Sequence, residues 1–278
     1  MKRVAALVVL YHPGEDSPGN IATYAEYLER LYVVDNSGLE SPVVKKLKRN
    51  RKTLVLHAGR NMGIAAAYNL ALSAAKREGF SYLVTMDQDS SFMKGEFEDF
   101  LEEIFRNGDK DIAIFSPKHR ADERSGGKGA FSEVPFVMSS GNVVDVRTLC
   151  RLGGYDEKLF IDEVDHEISL RSRLNGYRIY RHSTITLKHR LGGKHPLLAS
   201  TAFYPPARLY YILRNFLYLS ERYGTFDREF FEKRRRYLSK FIALQLLSPA
   251  DFHIRVRMLA EALIDARRGR MGVKYEEL

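Results

Sequence analysis

Two acidic clusters in this chain have residue types and spacing suited to chemistry. The first is Asp87-Gln88-Asp89-Ser90, set directly after the apolar run Tyr82 to Met86. Two carboxylates flanking one residue at the mouth of a strand can hold a hard divalent cation, because Mg2+ and Mn2+ prefer oxygen ligands and share them with substrate phosphates. A strand end followed by a helix cap would draw on the same residue types. The second cluster, Asp162-Glu163-Val164-Asp165-His166-Glu167, has four carboxylates within six residues. A helix starting near Asp162 would favour acid there through its dipole, but four exceed what capping requires. One of them, held near a metal and the first cluster, can serve as a general base.

Three further groups join these. His189 closes the apolar run Ile185-Thr-Leu-Lys-His189 and reads either as a metal or phosphate ligand or as a structural side chain. Gly59-Arg-Asn61-Met-Gly63-Ile-Ala65-Ala-Ala-Tyr68-Asn69 puts a Gly-bearing loop before an Ala-rich helix, whose N-terminus can receive a phosphate or ribose edge or can pack tightly on a sheet. It is neither a Walker loop nor a dinucleotide fingerprint. Arg208 and Arg214 follow Pro205-Pro206 at helical spacing and can offer a basic face to an anion, or simply a solvated surface.

The elements that must position these residues can be read from hydrophobic pattern. Val4 to Leu10 is a continuous Val-rich run, as expected of a strand buried on both faces of a parallel sheet. Further strands are expected from Leu31 to Asp35, at Leu54 to Leu56, from Tyr82 to Met86, from Ile112 to Phe115 and from Phe136 to Val144, the last broken at Gly141. Helical spacing separates them at about Ile21 to Leu31, Pro42 to Asn50, Gly63 to Glu78, Lys94 to Arg106 and Arg147 to Leu152. Alternation of this kind predicts a mostly parallel sheet with helices on both faces and ligands at the carboxyl ends of the strands. Tyr11, Asp35, Asn61, Asp87 and Asp89 all directly follow strands, so the rule gathers them on one edge. Residues Lys118 to Val134 are polar and Gly-rich and read as a long loop beside the site or a surface excursion. Beyond Tyr204 long helices are expected, at about Pro206 to Arg222, Arg228 to Leu247 and Ala250 to Arg267. The expected division is therefore a sheet domain over 1–204 and a helical extension over 205–278.

Composition bounds the reading. A 278-residue chain with 45% hydrophobic and 28% charged residues is an ordinary globular protein. Its single Cys150 excludes a disulfide framework and a cysteine zinc cage, which makes the cytoplasm the expected compartment. Neither a signal segment nor an apolar run of about 18 residues is visible. The net charge is +9, and residues 201–278 carry 15 Lys and Arg against 9 Asp and Glu. A basic tail can meet nucleic acid, an anionic membrane or a phosphorylated substrate, and charge alone does not choose among them.

Taken in order, the motifs resemble those of the family 2 inverting glycosyltransferases, which have the GT-A fold, and most closely the bacterial-type rhamnosyltransferases. The resemblance spans nearly all of residues 1–220. It rests on Leu10-Tyr11-His-Pro, Val34-Asp35-Asn-Ser, Asn61-Met-Gly63-Ile-Ala65 through Asn69, Asp87-Gln-Asp89-Ser, Ser140-Gly141-Asn, Phe160 through Glu167 with Leu170-Arg171, and His189 followed by Gly192. It implies that Tyr11, Asp35, Asn61, Gly63, Ala65, Asn69 and Asp87 bind a nucleotide-sugar, and that Asp89 and His189 hold Mg2+ or Mn2+ at the diphosphate. Asp165 matches the family's general base, while Gly141, Glu167, Arg208 and Arg214 fall on the acceptor side. The donor it implies is dTDP-rhamnose, with uridine and guanosine donors left open. The acceptor it implies is a saccharide or lipid-linked saccharide of a cell-surface polysaccharide pathway, with no nucleic acid partner and with contact at the inner face of the membrane left open. A sugar nucleotidyltransferase would need a Gly-rich phosphate loop after the first strand, where this chain has Tyr11-His-Pro-Gly14-Glu. A non-catalytic binder of anionic surfaces would use the basic tail alone.

Overall fold

The computed structural model describes residues 2–38, 40–107, 111–119, 130–189, 193–194, 202–247 and 251–276. Most of the Gly-rich loop, residues 120–129, lies outside them, as does Gly192. By packing, the chain separates into two compact units, one of Met1–Asp156 with Val164–Arg190 and one of Glu157–Glu163 with Leu191–Leu278.

The first unit is built on a sheet. Its strands are β1 (Val4–Leu10), β2 (Arg30–Asp35), β3 (Thr53–Ala58), β4 (Tyr82–Asp87), β5 (Ser90–Ser91), β6 (Ile112–His119), β7 (Phe131–Glu133), β8 (Asn142–Asp145) and β9 (Arg178–His189). They lie in the order β3-β2-β1-β4-β8-β6-β9-β5, with β7 also on β9. The half from β3 to β4 is parallel throughout, and β8 runs antiparallel between β4 and β6. Every residue of β1 is buried, as its unbroken apolar run requires of a central parallel strand.

Around the sheet run α1 (Ser17–Ala25), α2 (Pro42–Leu47), α3 (Ile64–Arg77), α4 (Glu96–Asn107), α5 (Val146–Arg151) and α6 (Val164–Leu174). Local chemistry fixes several starts. The Ser41 hydroxyl accepts from Val44 N with Pro42 in the first turn of α2, and the Asp145 carboxylate accepts from Thr148 N at α5. Helix α4 turns Phe97, Phe100, Leu101 and Ile104 inward, where Phe97 and Phe100 join Val8, Leu10, Val33, Val84 and Phe115 in one core. Full burial of each such side chain stabilises the fold by about 1.5–3 kcal/mol.

Two expected elements differ. The strand expected over Phe136 to Val144 forms only from Asn142, because Gly141 sits at φ +83° and turns the chain, its N–H donating to Thr85 O at 2.7 Å. Helix α1 begins at Ser17 rather than Ile21, with Pro18 in its first turn. The long strand β9 extends well before the apolar run at Ile185.

The second unit contains a short 3-10 turn (Glu157–Leu159), the pair β10 (Gly193–Lys194) and β11 (Ala202–Phe203), and helices α7 (Pro206–Tyr223), α8 (Arg228–Gln245) and α9 (Phe252–Arg267). Phe160, Tyr210, Tyr211, Met258 and Ala262 form its core. Phe160, Asp162 and Glu163 adopt φ of +63°, +60° and +61°, a conformation costly for residues with a Cβ. Neighbouring side chains fix it. Asn215 Nδ2 donates to the carbonyls of Leu159, Ile161 and Asp162 at 2.7–3.1 Å, and Arg214 Nη2 donates to those of Lys158 and Leu159 at 3.2 Å. Among the described residues no helix is long and apolar enough to cross a membrane.

Candidate active site

Sheet register assembles the site at the carboxyl ends of the strands. Val9 of β1 pairs with Asp87 of β4, and Leu10 pairs with Asp35 of β2, so the two carboxylates leave the sheet within one residue of each other along β1. One turn beyond Asp87, Ser90 pairs with His189. This brings His189 Nε2 to 3.3 Å from Asp89 Oδ1 and 3.6 Å from Asp87 Oδ2. The three residues offer one ligand atom each within 4.8 Å of one another, and all are half-buried. Two carboxylate oxygens and an imidazole nitrogen in partial contact with solvent suit Mn2+ or Mg2+, leaving coordination positions for substrate oxygens.

The loop carrying these carboxylates is tied down on both sides. Gln88 makes a two-way bond with the Tyr11 backbone, its Oε1 accepting from Tyr11 N at 2.8 Å and its Nε2 donating to Tyr11 O at 2.9 Å. Asn20 Nδ2 donates to Gln88 O at 3.1 Å. Behind the loop, Ser140 Oγ accepts from Asp87 N at 3.0 Å and bonds Ser90 Oγ at 2.7 Å.

The nucleotide-side residues expected from sequence shape their own loops. Asp35 is fully buried, and its carboxylate accepts from Ser37 N, Ser37 Oγ and Ser41 N at 2.5–3.0 Å, which closes the turn after β2. Asn61 Oδ1 accepts from Gly63 N at 3.0 Å, and Asn36 Oδ1 accepts from Met62 N at 3.2 Å. Gly63 begins α3 at φ +81°, and Ala65 behind it is buried. Asn69 reaches from α3 to Tyr155, donating to its carbonyl at 2.9 Å and accepting from its N–H at 2.7 Å.

In the second acidic cluster the helix starts at Val164, two residues later than expected, because Asp162 and Glu163 are left-handed. Their carboxylates are engaged within the second unit, Asp162 by Arg208 at 3.0 Å and Glu163 by Arg234 at 2.5 Å. Glu167 is buried and paired with Arg171 at 2.7 Å, whose guanidinium also donates to the carbonyls of Leu152 and Gly154. Asp165 differs from these. It stands in the first turn of α6, about a quarter exposed, and its Oδ1 accepts from His166 N at 2.8 Å. The basic face expected of Arg208 with Arg214 does not form, since Arg214 is fully buried and its guanidinium is turned onto backbone carbonyls and Tyr210. Gly141 lies wedged in the first unit, where a Cβ would meet Pro117 Cγ at 2.7 Å.

Three residues near the carboxylates were not singled out from sequence. Gln88 and Ser140 fix the loop as described, and their long-range partners leave no local signal. Tyr68 on α3 is fully buried with its ring 4.8 Å from Tyr155. Burial first, then the negative charge of Asp87, with a smaller part from Asp165, pushes its hydroxyl well above the usual tyrosine range. A neutral O–H donor thus stands within the fields of both acidic ends.

The mostly parallel sheet with its surrounding helices matches the GT-A fold. Solved structures agree on this fold. TarS residues 1–349 of S. aureus, in complex with UDP-GlcNAc, aligns with 95% of this chain and 81% of its own at TM-score 0.55 and 16% identity. GalNAc-T7 with UDP, GalNAc and Mn2+ aligns with 96% of this chain and 57% of its own at TM-score 0.63 and 13% identity. Residues 21–146 match the Glycosyl transferase family 2 profile. A dTDP-rhamnosyl transferase, RfbF of Shigella flexneri, is 26% identical over 231 residues, 76% of this chain and 78% of its own.

Proposed function

We propose that this protein is a metal-dependent inverting glycosyltransferase, and that it transfers L-rhamnose from dTDP-rhamnose to a saccharide or lipid-linked saccharide acceptor in cell-surface polysaccharide synthesis. The observation that carries the reading is the Asp87, Asp89 and His189 group at the sheet's carboxyl edge, with Asp165 open on a separate element of the same unit. The rhamnosyl donor follows from the Shigella relative, and the use of a nucleotide-sugar with a divalent cation accords with the ligands of the two structural relatives.

In this reading Asp89 and His189 hold Mg2+ or Mn2+ beside Asp87. The ion supplies Lewis-acid stabilisation of the negative charge that develops on the departing diphosphate. The turn closed by Asp35 and the strapped Tyr11 segment line the nucleoside pocket, with the Asn61 to Asn69 loop and helix beside them. Asp165 accepts the proton of the acceptor hydroxyl as that oxygen attacks the anomeric carbon from the side opposite the leaving group, which inverts the configuration. Gln88 and Ser140 keep the carboxylate loop in place before substrate arrives, so little reorganisation accompanies binding. The compartment consistent with a nucleotide-sugar donor is the cytoplasm.

Thermal shift with dTDP-rhamnose tests the reading. At about a hundredfold excess over Kd the donor should stabilise the protein by roughly 2.7 kcal/mol, in Mn2+ or Mg2+ and not in EDTA. Asp89→Ala should abolish the metal-dependent part. Equal stabilisation with and without EDTA would remove the metal from the proposal, and a shift with UDP- or GDP-sugars alone would replace the donor.

A further inference from the structure

Helix α9 is inside out. The side chains it turns inward include Arg255, fully buried, and Asp265, 4% exposed, alongside Met258 and Ala262. Its outward side carries Phe252, 50% exposed, Val256, 42%, and Leu263, 41%, with half-buried Leu259 between them. Steps of four, three and four residues keep these four on one stripe of an α-helix. Ile264 is exposed on the neighbouring side. A helix facing water would place such residues the other way round.

The charge around the stripe indicates what covers it. Arg257, Arg267 and Arg268 are exposed on the same helix. Each acid of the helix and its cap is already engaged at home: Asp251 near Arg255 at 3.7 Å, Glu261 with Arg257 at 2.8 Å and Lys274 at 2.7 Å, and Asp265 with Lys274 at 2.7 Å and Tyr210 at 2.9 Å. A second copy meeting this face with its own would bring further cations, and the acids of that helix and its cap would already be paired. An anionic bilayer supplies both missing complements, an apolar interior for the stripe and phosphate for the arginines.

We propose that the Phe252, Val256, Leu259 and Leu263 face of α9 docks on an anionic lipid surface. It lies outside the residues assigned to donor binding and proton transfer, so it gives the enzyme a place to meet a lipid-borne acceptor without altering its chemistry.

Co-sedimentation of the full chain with vesicles tests this. Binding is expected to mixed phosphatidylcholine and phosphatidylglycerol vesicles, not to pure phosphatidylcholine, and should weaken with salt. Arg267→Gln with Arg268→Gln should lower partitioning about 25-fold, roughly fivefold per cation. Phe252→Ser with Leu263→Ser, both surface changes, should abolish binding while circular dichroism and transfer between soluble donor and acceptor stay as in the parent. Absence of binding to phosphatidylglycerol vesicles would overturn the proposal, as would unchanged binding by either double variant. A concentration-dependent dimer that Phe252→Ser with Leu263→Ser dissolves would overturn it too, by showing the face belongs to a second copy. None of these results touches the donor and metal test above, so the two readings fail separately.

Discussion

Asp165→Asn separates proton transfer from everything else in the proposed mechanism. Its Oδ1 accepts from His166 N at 2.8 Å and lies 3.7 Å from His166 Nδ1, and an asparagine Oδ1 keeps the backbone contact. What is lost structurally is a negative charge in the first turn of α6, about 0.3–1 kcal/mol of dipole interaction. The fold should therefore survive with a stability loss below about 1 kcal/mol. Catalysis should not. A positioned general base contributes about a hundredfold to ten-thousandfold, so kcat should fall by that factor, equivalent to roughly 3–5 kcal/mol of barrier. Calorimetry should give a donor Kd within about twofold of the parent, because the Asp87, Asp89 and His189 group is untouched. The assay is steady-state transfer from dTDP-rhamnose to a saccharide acceptor, with thermal unfolding as the control. A kcat within tenfold of the parent would refute Asp165 as the base. A large loss of donor affinity would refute the division of the site into a leaving-group end and a proton end.

Two further expectations concern the scaffold. Gly141→Ala should destabilise the protein by about 1–3 kcal/mol, because it combines a left-handed backbone at φ +83° with a Cβ 2.7 Å from Pro117 Cγ; a denaturation midpoint equal to the parent's would show that Pro117 yields freely. Glu261 gives a pH signature. Hydrogen bonds from Lys274, Tyr275 and Arg257 hold its carboxyl down to about 2 from an ordinary 4.5, so its stabilisation is complete above about pH 4.5 and is lost progressively as pH falls toward 2. The amount at neutral pH is on the order of 3 kcal/mol at most. Glu261→Gln should thus lower thermal stability at pH 7, and its difference from the parent should shrink on acidification through that window.

Much of the sheet was legible because buried parallel strands write themselves as unbroken apolar runs. β1 and β4 are of this kind, and both lead into a segment of the candidate site. β9 was legible only in its last third, since Arg178, Tyr180, Arg181 and His182 interrupt the apolar pattern of a strand that is partly solvated. The first acidic cluster could be placed at the sheet edge by the strand-end rule alone, and so could Asp35. His189 could not, because its position beside Asp89 depends on the antiparallel pairing of Ser90 with His189 across the chain. Composition and spacing showed the second cluster as a helix start with four carboxylates, of which the family resemblance alone singled out Asp165 as a base and Glu167 as acceptor-side. Their physical difference lies in tertiary contacts: Arg208 and Arg234 engage Asp162 and Glu163, Arg171 engages Glu167, and Asp165 stays about a quarter exposed beside His166. Arg214 misled for a related reason, since helical spacing can place a guanidinium on a face but cannot tell that the face is covered.

The segment Glu157–Glu163 joins the second unit, whereas the residues on either side of it belong to the first. During synthesis this imposes a wait. Glu163 leaves the ribosome 71 residues before Arg234, the cation that neutralises it, a delay of roughly 4–14 s at ordinary elongation rates of about 5–20 residues per second. Until then the left-handed stretch lacks Asn215 and Arg214 as well. The left-handed stretch can thus take its final conformation only after the C-terminal helices have emerged. Cutting the chain after the last strand of the sheet should accordingly leave Glu157–Glu163 without the side chains that hold its left-handed turns.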